Sequence, residues 1–319
     1  MKALFYLGPE RLELREIGKP KGDVVIKILG AGVCGTDLKT YLKGHPMFKP
    51  PTILGHECYG RIVELNVDLK SLEVGDTVAV APYAECGKCD LCETGVPELC
   101  KSKTYLETGC FTQYIAVSRE HASRALFKVT DDPAQILAEP LACVFNGFEK
   151  LRVKPRRLLV VGGGPMGVLF ALLGVSEGCE TFVIEKSAWR LEHIRNLGIE
   201  AADTPPEGLF DGIIFAVNIP ELVGQYTRLA NDGGSLLLFS GYPKDSLIEV
   251  DSYAVHYREV SVVGGFGFAL RHFERAVQTL SSQVELFRRL MTHRFDLENA
   301  PKAFEILSKG EAMKVFFGM

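Results

Sequence analysis

The sequence predicts an α/β protein of about two domains: an irregular, β-rich domain first, then a parallel, doubly wound sheet. Three observations predict it. At 319 residues the chain exceeds one ordinary core. Its first half carries short apolar runs broken by Gly, Pro and Asp, a β-rich texture. From Arg157 the apolar runs lose their alternation and are separated by helical stretches, which is the pattern of strands buried on both faces.

In chain order, Val24–Leu29, Arg61–Leu65 and Thr77–Ala81 are the clearest early strands. Leu158–Val161 then predicts a strand, Met166–Ser176 a helix, Thr181–Ile184 a strand and Ala188–Leu197 a helix. Gly212–Val217, Ser235–Phe239 and Ser261–Val263 predict further buried strands. Between them, Ile199–Leu209 contains Pro205-Pro206 and is too short and broken for a full helix. After Gly267 the texture changes to a helix near Leu270–Ser281 and a tail ending in Lys314-Val315-Phe316-Phe317, placed to rejoin the first domain.

Composition narrows the function classes. A chain that is 47% hydrophobic and 24% charged is globular, not disordered. With 36 basic against 40 acidic residues, and a formal charge of −4, it has no surplus to neutralise a phosphate backbone. Leu158–Ser176 is uncharged and long enough to resemble a membrane span, but Gly162-Gly163-Gly164-Pro165 breaks it into strand, turn and helix. The start, Met1-Lys2-Ala3-Leu4, has no signal-peptide core, so a reducing cytoplasm is expected. There, the nine cysteines are better suited to metal than to disulfides.

Cys86, Cys89, Cys92 and Cys100 form C-x2-C-x2-C-x7-C. Thiolates three apart, with Gly87 permitting a tight turn, can converge on one tetrahedral zinc. Bacterial ferredoxins also open C-x2-C-x2-C, but their next spacing is three and not seven. Four sulfurs leave no open position, so this zinc is structural. Lys88, Lys101 and Lys103 are candidates to offset its negative charge.

A second set is scattered. Cys34 lies in Gly32-Val33-Cys34-Gly35-Thr36-Asp37, His56 and Glu57 follow about twenty residues later, and Glu139-Pro140-Leu141 much later. Together they offer a thiolate, an imidazole and one or two carboxylates, a three-ligand set with a position left for substrate. Taken singly, each also suits an ordinary packing role.

Gly162-x-Gly164-x-x-Gly167, spanning Pro165 and Met166, follows a strand and opens a helix. Glycines there permit the turn and let backbone approach a pyrophosphate at the helix N-terminus. Glu185 ends the next strand, 21 residues after Gly164, where an acid holds the ribose hydroxyls of NAD and repels the 2′-phosphate of NADP. Lys186 and Arg190 stand close by, either as solvated helix-start charges or as a softening of that preference.

Five motifs in this order resemble the zinc-containing medium-chain alcohol dehydrogenases, particularly the sorbitol, threonine and polyol branch. They are Gly32–Asp37, Gly55-His56-Glu57-Cys58-Tyr59-Gly60, the four-cysteine lobe, Glu139-Pro140-Leu141-Ala142 and Val161–Gly167, and the likeness covers essentially the whole chain. The resemblance implies a partly open, GroES-like β-barrel catalytic domain (1–145 and 267–319) interrupted by a Rossmann domain (146–266), with the active site in the cleft between them. It implies that Cys34 and His56 bind a catalytic zinc, with Glu57 or Glu139 as third ligand. Thr36 matches the hydroxyl that passes a proton outward from the alcohol. Where the family usually has the next relay histidine, this chain has Lys39, a poor shuttle at neutral pH; His45, or cofactor ribose and water, are the other routes out.

The implied reaction is hydride transfer from a secondary alcohol (a polyol, sugar or similar hydrophilic alcohol) to NAD, in a homodimer or homotetramer carrying two zinc ions per chain. Gly162, Gly164, Pro165, Met166, Gly167, Glu185 and Arg190 would hold the cofactor, and Lys314 resembles a family basic residue that approaches its pyrophosphate, though a solvated strand-end lysine suits that position equally. Tyr41, Phe48, Tyr59 and Phe111 are candidates for lining the substrate pocket or for simple core. The alternative function is a non-catalytic NAD-binding sensor or structural protein, supported by Lys39 and the short chain. A nucleic-acid zinc module is disfavoured by the charge.

Overall fold

In a computed structural model, which describes residues 1–319, the chain divides into two compact units: Met1–Ala142 with Phe268–Met319, and Cys143–Gly267.

The first unit is built on one forked sheet. Its strands run Leu126–Lys128, Thr77–Val80, Glu57–Leu65, Val24–Gly32, Lys314–Gly318 and Met291–Phe295. The nine-residue Val24–Gly32 strand has Glu57–Leu65 along one edge. Its other edge is shared: Tyr114–Val117 pairs with Val24–Lys27, and Phe316–Gly318 pairs with Gly30–Gly32. That fork curls the sheet into a partly open barrel around Ile26, Ile28, Ile62, Val78, Val80, Phe111 and Phe317, all buried. The C-terminal tail therefore does rejoin the first domain.

A hairpin of Lys2–Gly8 and Arg11–Glu16, absent from the sequence reading, lies at the start. It pairs with Thr52–Ile53 to form a separate three-stranded sheet. The Leu270 helix runs on to Arg288, past the expected end at Ser281, with a non-helical residue at Gln283. Just before that break, Ser281 Oγ donates to the Val277 carbonyl and Ser282 Oγ to that of Gln278, a competition with the backbone ladder that bends helices.

The second unit is a six-stranded, all-parallel sheet. Its strands in chain order are Arg157–Val161, Glu180–Ile184, Glu200–Ala202, Phe210–Phe215, Ala230–Leu238 and Ser261–Gly264. They lie in the spatial order third, second, first, fourth, fifth, sixth, which is the Rossmann order. Leu159, Val161, Phe210, Phe215 and Leu236 form the buried core on one face. The helix Pro165–Ser176 connects first to second strand and Ala188–Asn196 second to third. No helix connects third to fourth: residues 203–209 cross as a loop, as Pro205-Pro206 require. No helix of the structure is long and apolar enough to cross a membrane.

The glycines of the first crossover have separate duties. Gly162 has φ +104°, which side-chain residues rarely adopt. A Cβ on Gly167 would overlap the Gly162 carbonyl oxygen, so Gly167 sets how closely helix and turn pack. Gly167→Ala is expected to destabilise the protein by about 1–3 kcal/mol through overpacking, read as a lowered midpoint in urea unfolding with an unchanged slope.

Candidate metal centres and dinucleotide loop

The four-cysteine loop is tied at its base by a short ladder of Tyr83–Ala84 with Thr104–Tyr105. Inside it the sulfurs lie 3.5 Å (Cys86–Cys100), 3.6 Å (Cys89–Cys92), 3.7 Å (Cys89–Cys100) and 4.0 Å (Cys86–Cys92) apart. Zn–S bonds of about 2.3 Å give a tetrahedron with edges of about 3.8 Å, so the donor set fits zinc without rearrangement. Gly87 at φ +74° makes the turn. The N–H groups of Cys86 and Ser102 donate to Cys100 Sγ at 3.3 and 3.4 Å, the kind of support that stabilises thiolate ligands. The Lys88 N–H is the main cause that lowers the Cys86 thiol to about 6, while burial and then Cys89 raise Cys92 to about 11. Lys103 is engaged elsewhere, donating to the Glu98 carbonyl and lying over the Tyr83 ring.

The second constellation comes together from distant segments of the first unit. Cys34 caps the helix Gly35–Lys43, and His56 precedes the strand Glu57–Leu65. One donor atom each of Cys34, His56 and Glu57 lie within 4.8 Å of one another. That spread is about an ångström wider than a zinc tetrahedron's edge, and the chemistry is right: thiolate, imidazole, carboxylate, and a fourth position free. Glu139, nearly buried in the first turn of Ala138–Glu149, is outside this trio, although its charge reaches Lys314.

Asp37 is the residue that sequence reasoning passed over. It is fully buried, and its carboxylate accepts from the Cys34 N–H at 2.9 Å and the Gly55 N–H at 3.2 Å. His56 Nδ1 lies 3.6 Å from the same carboxylate. One acid thus fixes both candidate ligands, the usual arrangement behind a metal-binding histidine. The signal was available: an acid three residues into a helix, reaching back to the cap residue. Gly55, at φ +94°, turns the chain into place just before His56, and a Cβ there would strike the Phe111 ring. Burial disfavours a charged His56, but Asp37 and Cys34 outweigh it and hold the imidazole pKa well above its ordinary value.

Glu57 and Lys314 meet over Gly32. They sit on the two strands that flank the end of Val24–Gly32, and a Cβ on Gly32 would overlap Glu57 Oε2. Glu57 is 0% and Lys314 4% exposed, and the ammonium lies against Oε2. Oε1 is buried with no hydrogen-bond partner. Lys314 is therefore no solvated strand-end lysine. Burial pushes its pKa down, but Glu57 and then Cys34 hold it above the usual lysine value.

Thr36 is exposed on the first turn of the same helix, and Lys39 is exposed as well. Three of the four pocket-aromatic candidates serve the core. Tyr41 packs on Phe304 at 4.8 Å, Phe111 packs on Phe317 at 5.0 Å, and Tyr59 is buried enough that its phenol is pushed up to about 12. Phe48 lies beside the half-buried His45 at 5.4 Å.

In the second unit, Gly164 caps the helix that begins at Pro165 and Met166. A Cβ there would meet nothing closer than Arg190 Nη1 at 3.9 Å, so this N-terminus is open to a phosphate. Glu185 latches the loop: Oε2 accepts from the Gly163 N–H at 3.0 Å, and Oε1 from those of Lys186 and Ser187 at 2.6 and 2.9 Å. Arg190 Nη1 stands 3.5 Å from Glu185, and Lys186 Nζ donates to the Asp203 carbonyl. Neither cation is simply solvated.

The chain matches two family models, an alcohol dehydrogenase GroES-like domain over residues 20–129 and a glucose dehydrogenase C-terminus over 132–316. It is 30% identical to D-altritol 5-dehydrogenase of Agrobacterium fabrum, covering 99% of each chain. It is 31% identical to sorbitol dehydrogenase of Halalkalibacterium halodurans, covering 92% of this chain and 91% of that one. Among solved structures, one described as a zinc-binding dehydrogenase from Sinorhizobium meliloti, bound to NADP, superposes with a TM-score of 0.88 at 25% identity, covering 100% of this chain and 99% of that one. The fold of 2R,3R-butanediol dehydrogenase from Bacillus subtilis matches with a TM-score of 0.87 at 22% identity, covering 100% and 99%.

Two outcomes follow for the scattered cluster. Asp37→Asn removes the charge that orients Cys34 and His56, and should weaken metal binding there by about 10–100-fold, read by competition with a chromophoric chelator. Asp37 and Cys34 raise the pKa of His56, and zinc binding to its imidazole competes with that proton. Zinc uptake at this cluster should therefore release protons and weaken as pH falls, measured by calorimetry in buffers of different ionisation enthalpy.

Proposed function

The chain belongs to the zinc-containing medium-chain alcohol dehydrogenase family, and on that footing we propose that it oxidises a secondary alcohol of the polyol or sugar class to the ketone, with NAD as hydride acceptor. The observation that carries the reading is the pairing of two unlike donor sets in one unit: four sulfurs that close a site, and Cys34, His56 and Glu57, which leave one open. No packing requirement brings a thiol, an imidazole and a buried carboxylate together.

Zinc at the open set supplies Lewis acidity that draws an alcohol's pKa toward neutrality. The protein's own groups do the rest. Cys34, His56 and Glu57 are the proposed ligands; the close approach of Glu57 favours it over Glu139 as the third. Asp37 keeps the imidazole turned and lends its charge to it. Thr36 takes the alcohol's proton and hands it outward, and its exposure on the first helical turn suits a group that must reach water. Lys39 is exposed, so water can serve where a relay histidine is missing.

The second unit holds the dinucleotide. Gly162, Gly164, Pro165, Met166 and Gly167 form the turn and helix start for the pyrophosphate. Glu185 carries the proposed preference for NAD, since a 2′-phosphate beside its carboxylate is repelled, and Arg190 beside it contributes a second adenosine-side contact. A cytoplasmic homodimer or homotetramer with two zinc ions per chain completes the reading; relatives named for altritol and sorbitol support the substrate class.

Freshly purified protein should contain two zinc ions per chain and form NADH from at least one member of a panel of polyols, sugars, sugar acids and amino alcohols. One zinc or none would refute the reading. Cys34→Ser should lower turnover by at least about a thousandfold with the melting temperature retained, whereas Cys86→Ser should chiefly destabilise the fold. Equal rates with NAD and NADP would remove the role given to Glu185.

A further inference from the structure

We propose that Lys314 is a positioning residue of the Cys34–His56–Glu57 cluster: it holds Oε2 of Glu57 so that the carboxylate offers a metal ion one oxygen and not two. The inference rests on the cluster being a metal site, and it departs from the pyrophosphate contact that family resemblance implies for this lysine.

The fold goes to some length to make this contact. Glu57 and Lys314 belong to strands that are not neighbours, since Val24–Gly32 runs between them. Their side chains reach each other because the intervening residue is Gly32, where any Cβ would stand in the place of Glu57 Oε2 and press on Lys314 Cε at 3.2 Å. The pair is almost completely buried, so no water substitutes for the ammonium. The other contact of Lys314 Nζ is the Val33 carbonyl at 3.4 Å, next to Cys34, which fixes the lysine within the cluster.

The two carboxylate oxygens are therefore unequal. Both are buried without a hydrogen-bond partner, but Oε2 has the ammonium against it as an ion pair while Oε1 has no partner of any kind, a costly condition unless something else binds it. A carboxylate with both oxygens free can bind zinc through both. With a thiolate and an imidazole that would fill four positions, so an alcohol or water could bind only as a fifth ligand. Held at Oε2, the same carboxylate fills one position and the fourth stays available. The positive charge also offsets Glu57, so the cluster draws less on the Lewis acidity of its ion.

Cobalt(II) reports coordination directly. Wild type, Lys314→Met and Lys314→Arg are loaded with cobalt, and the spectrum of cobalt-loaded Cys34→Ser is subtracted to isolate this cluster. Loss of the ammonium should weaken the visible ligand-field bands by about twofold or more as a fifth donor enters, while Lys314→Arg keeps the wild-type bands and KM for NAD stays within about twofold in both. Lys314→Met with a wild-type spectrum overturns the proposal, and a raised KM for NAD alongside it assigns the lysine to the pyrophosphate instead. Lys314→Arg with the altered spectrum of Lys314→Met also overturns it. If Lys314→Met does not fold, Gly32→Ala, which displaces Glu57 from the lysine, must give the same weakened bands; wild-type bands there refute the proposal. A wild-type spectrum no different from Cys34→Ser would instead refute the metal site itself, a separate failure.

Discussion

The arrangement of the first unit depends on one strand having company along its whole length. Val24–Gly32 pairs with Glu57–Leu65 on one side and with two half-strands on the other. Being central, it brings residue 57 beside residue 314 across more than half the chain. Its last residue must lack a side chain so that the two can touch. The helix bearing Cys34 starts directly beyond it. Move the register by one residue and the alternation of faces carries Glu57 away from the cluster. The candidate metal site is thus a property of sheet pairing, and only secondarily of any one loop.

The two cysteine-containing sites contrast in what holds them. The four-cysteine lobe is local: fifteen residues, one tight turn and a two-rung ladder at the base suffice to gather four sulfurs. Its donors are close enough in sequence that spacing alone encodes the geometry. The Cys34 cluster has the opposite character. Its donors come from a helix cap and a strand start, the lysine against Glu57 comes from the strand Lys314–Gly318, and a buried acid, Asp37, ties Cys34 and His56 together. Local encoding yields a site that can form early and serve as a staple. Distributed encoding yields one whose geometry answers to the whole domain, which suits a centre that must remain open.

That contrast explains what could be read from the sequence. The parallel sheet is legible because five of its six strands carry short apolar runs bounded by turns; the edge strand Glu200–Ala202 has no such run and is not predicted, and the missing third crossover helix is legible because Pro205-Pro206 cannot propagate one. The four-cysteine lobe is legible from spacing. Cys34, His56 and Glu57 could be named, but their meeting could not, since nothing in a linear pattern fixes tertiary pairing. Asp37 went unnoticed because a buried acid and a solvated helix-start acid look alike in sequence; only burial separates them. Lys314 is similarly ambiguous, and nothing in the sequence marks Gly32 as the position that admits it. The N-terminal hairpin and the extension of the helix beyond Ser281 to Arg288 are not predicted from the sequence.

The division of the first unit also has a bearing on the order of events during synthesis. Cys143–Gly267 is contiguous and leaves the ribosome whole, so it can complete its sheet while the remainder is still being made. Met1–Ala142 cannot. Until residues 314–318 emerge, the edge of Val24–Gly32 near Gly30–Gly32 has no partner strand, and the Glu57 carboxylate has no ammonium to accompany it into the interior. Residues 314–318, made after the whole of the second unit, are thus the ones that close the barrel and neutralise its buried acid. A nascent chain stalled or truncated just short of Lys314 would carry a finished nucleotide fold attached to an unfinished barrel.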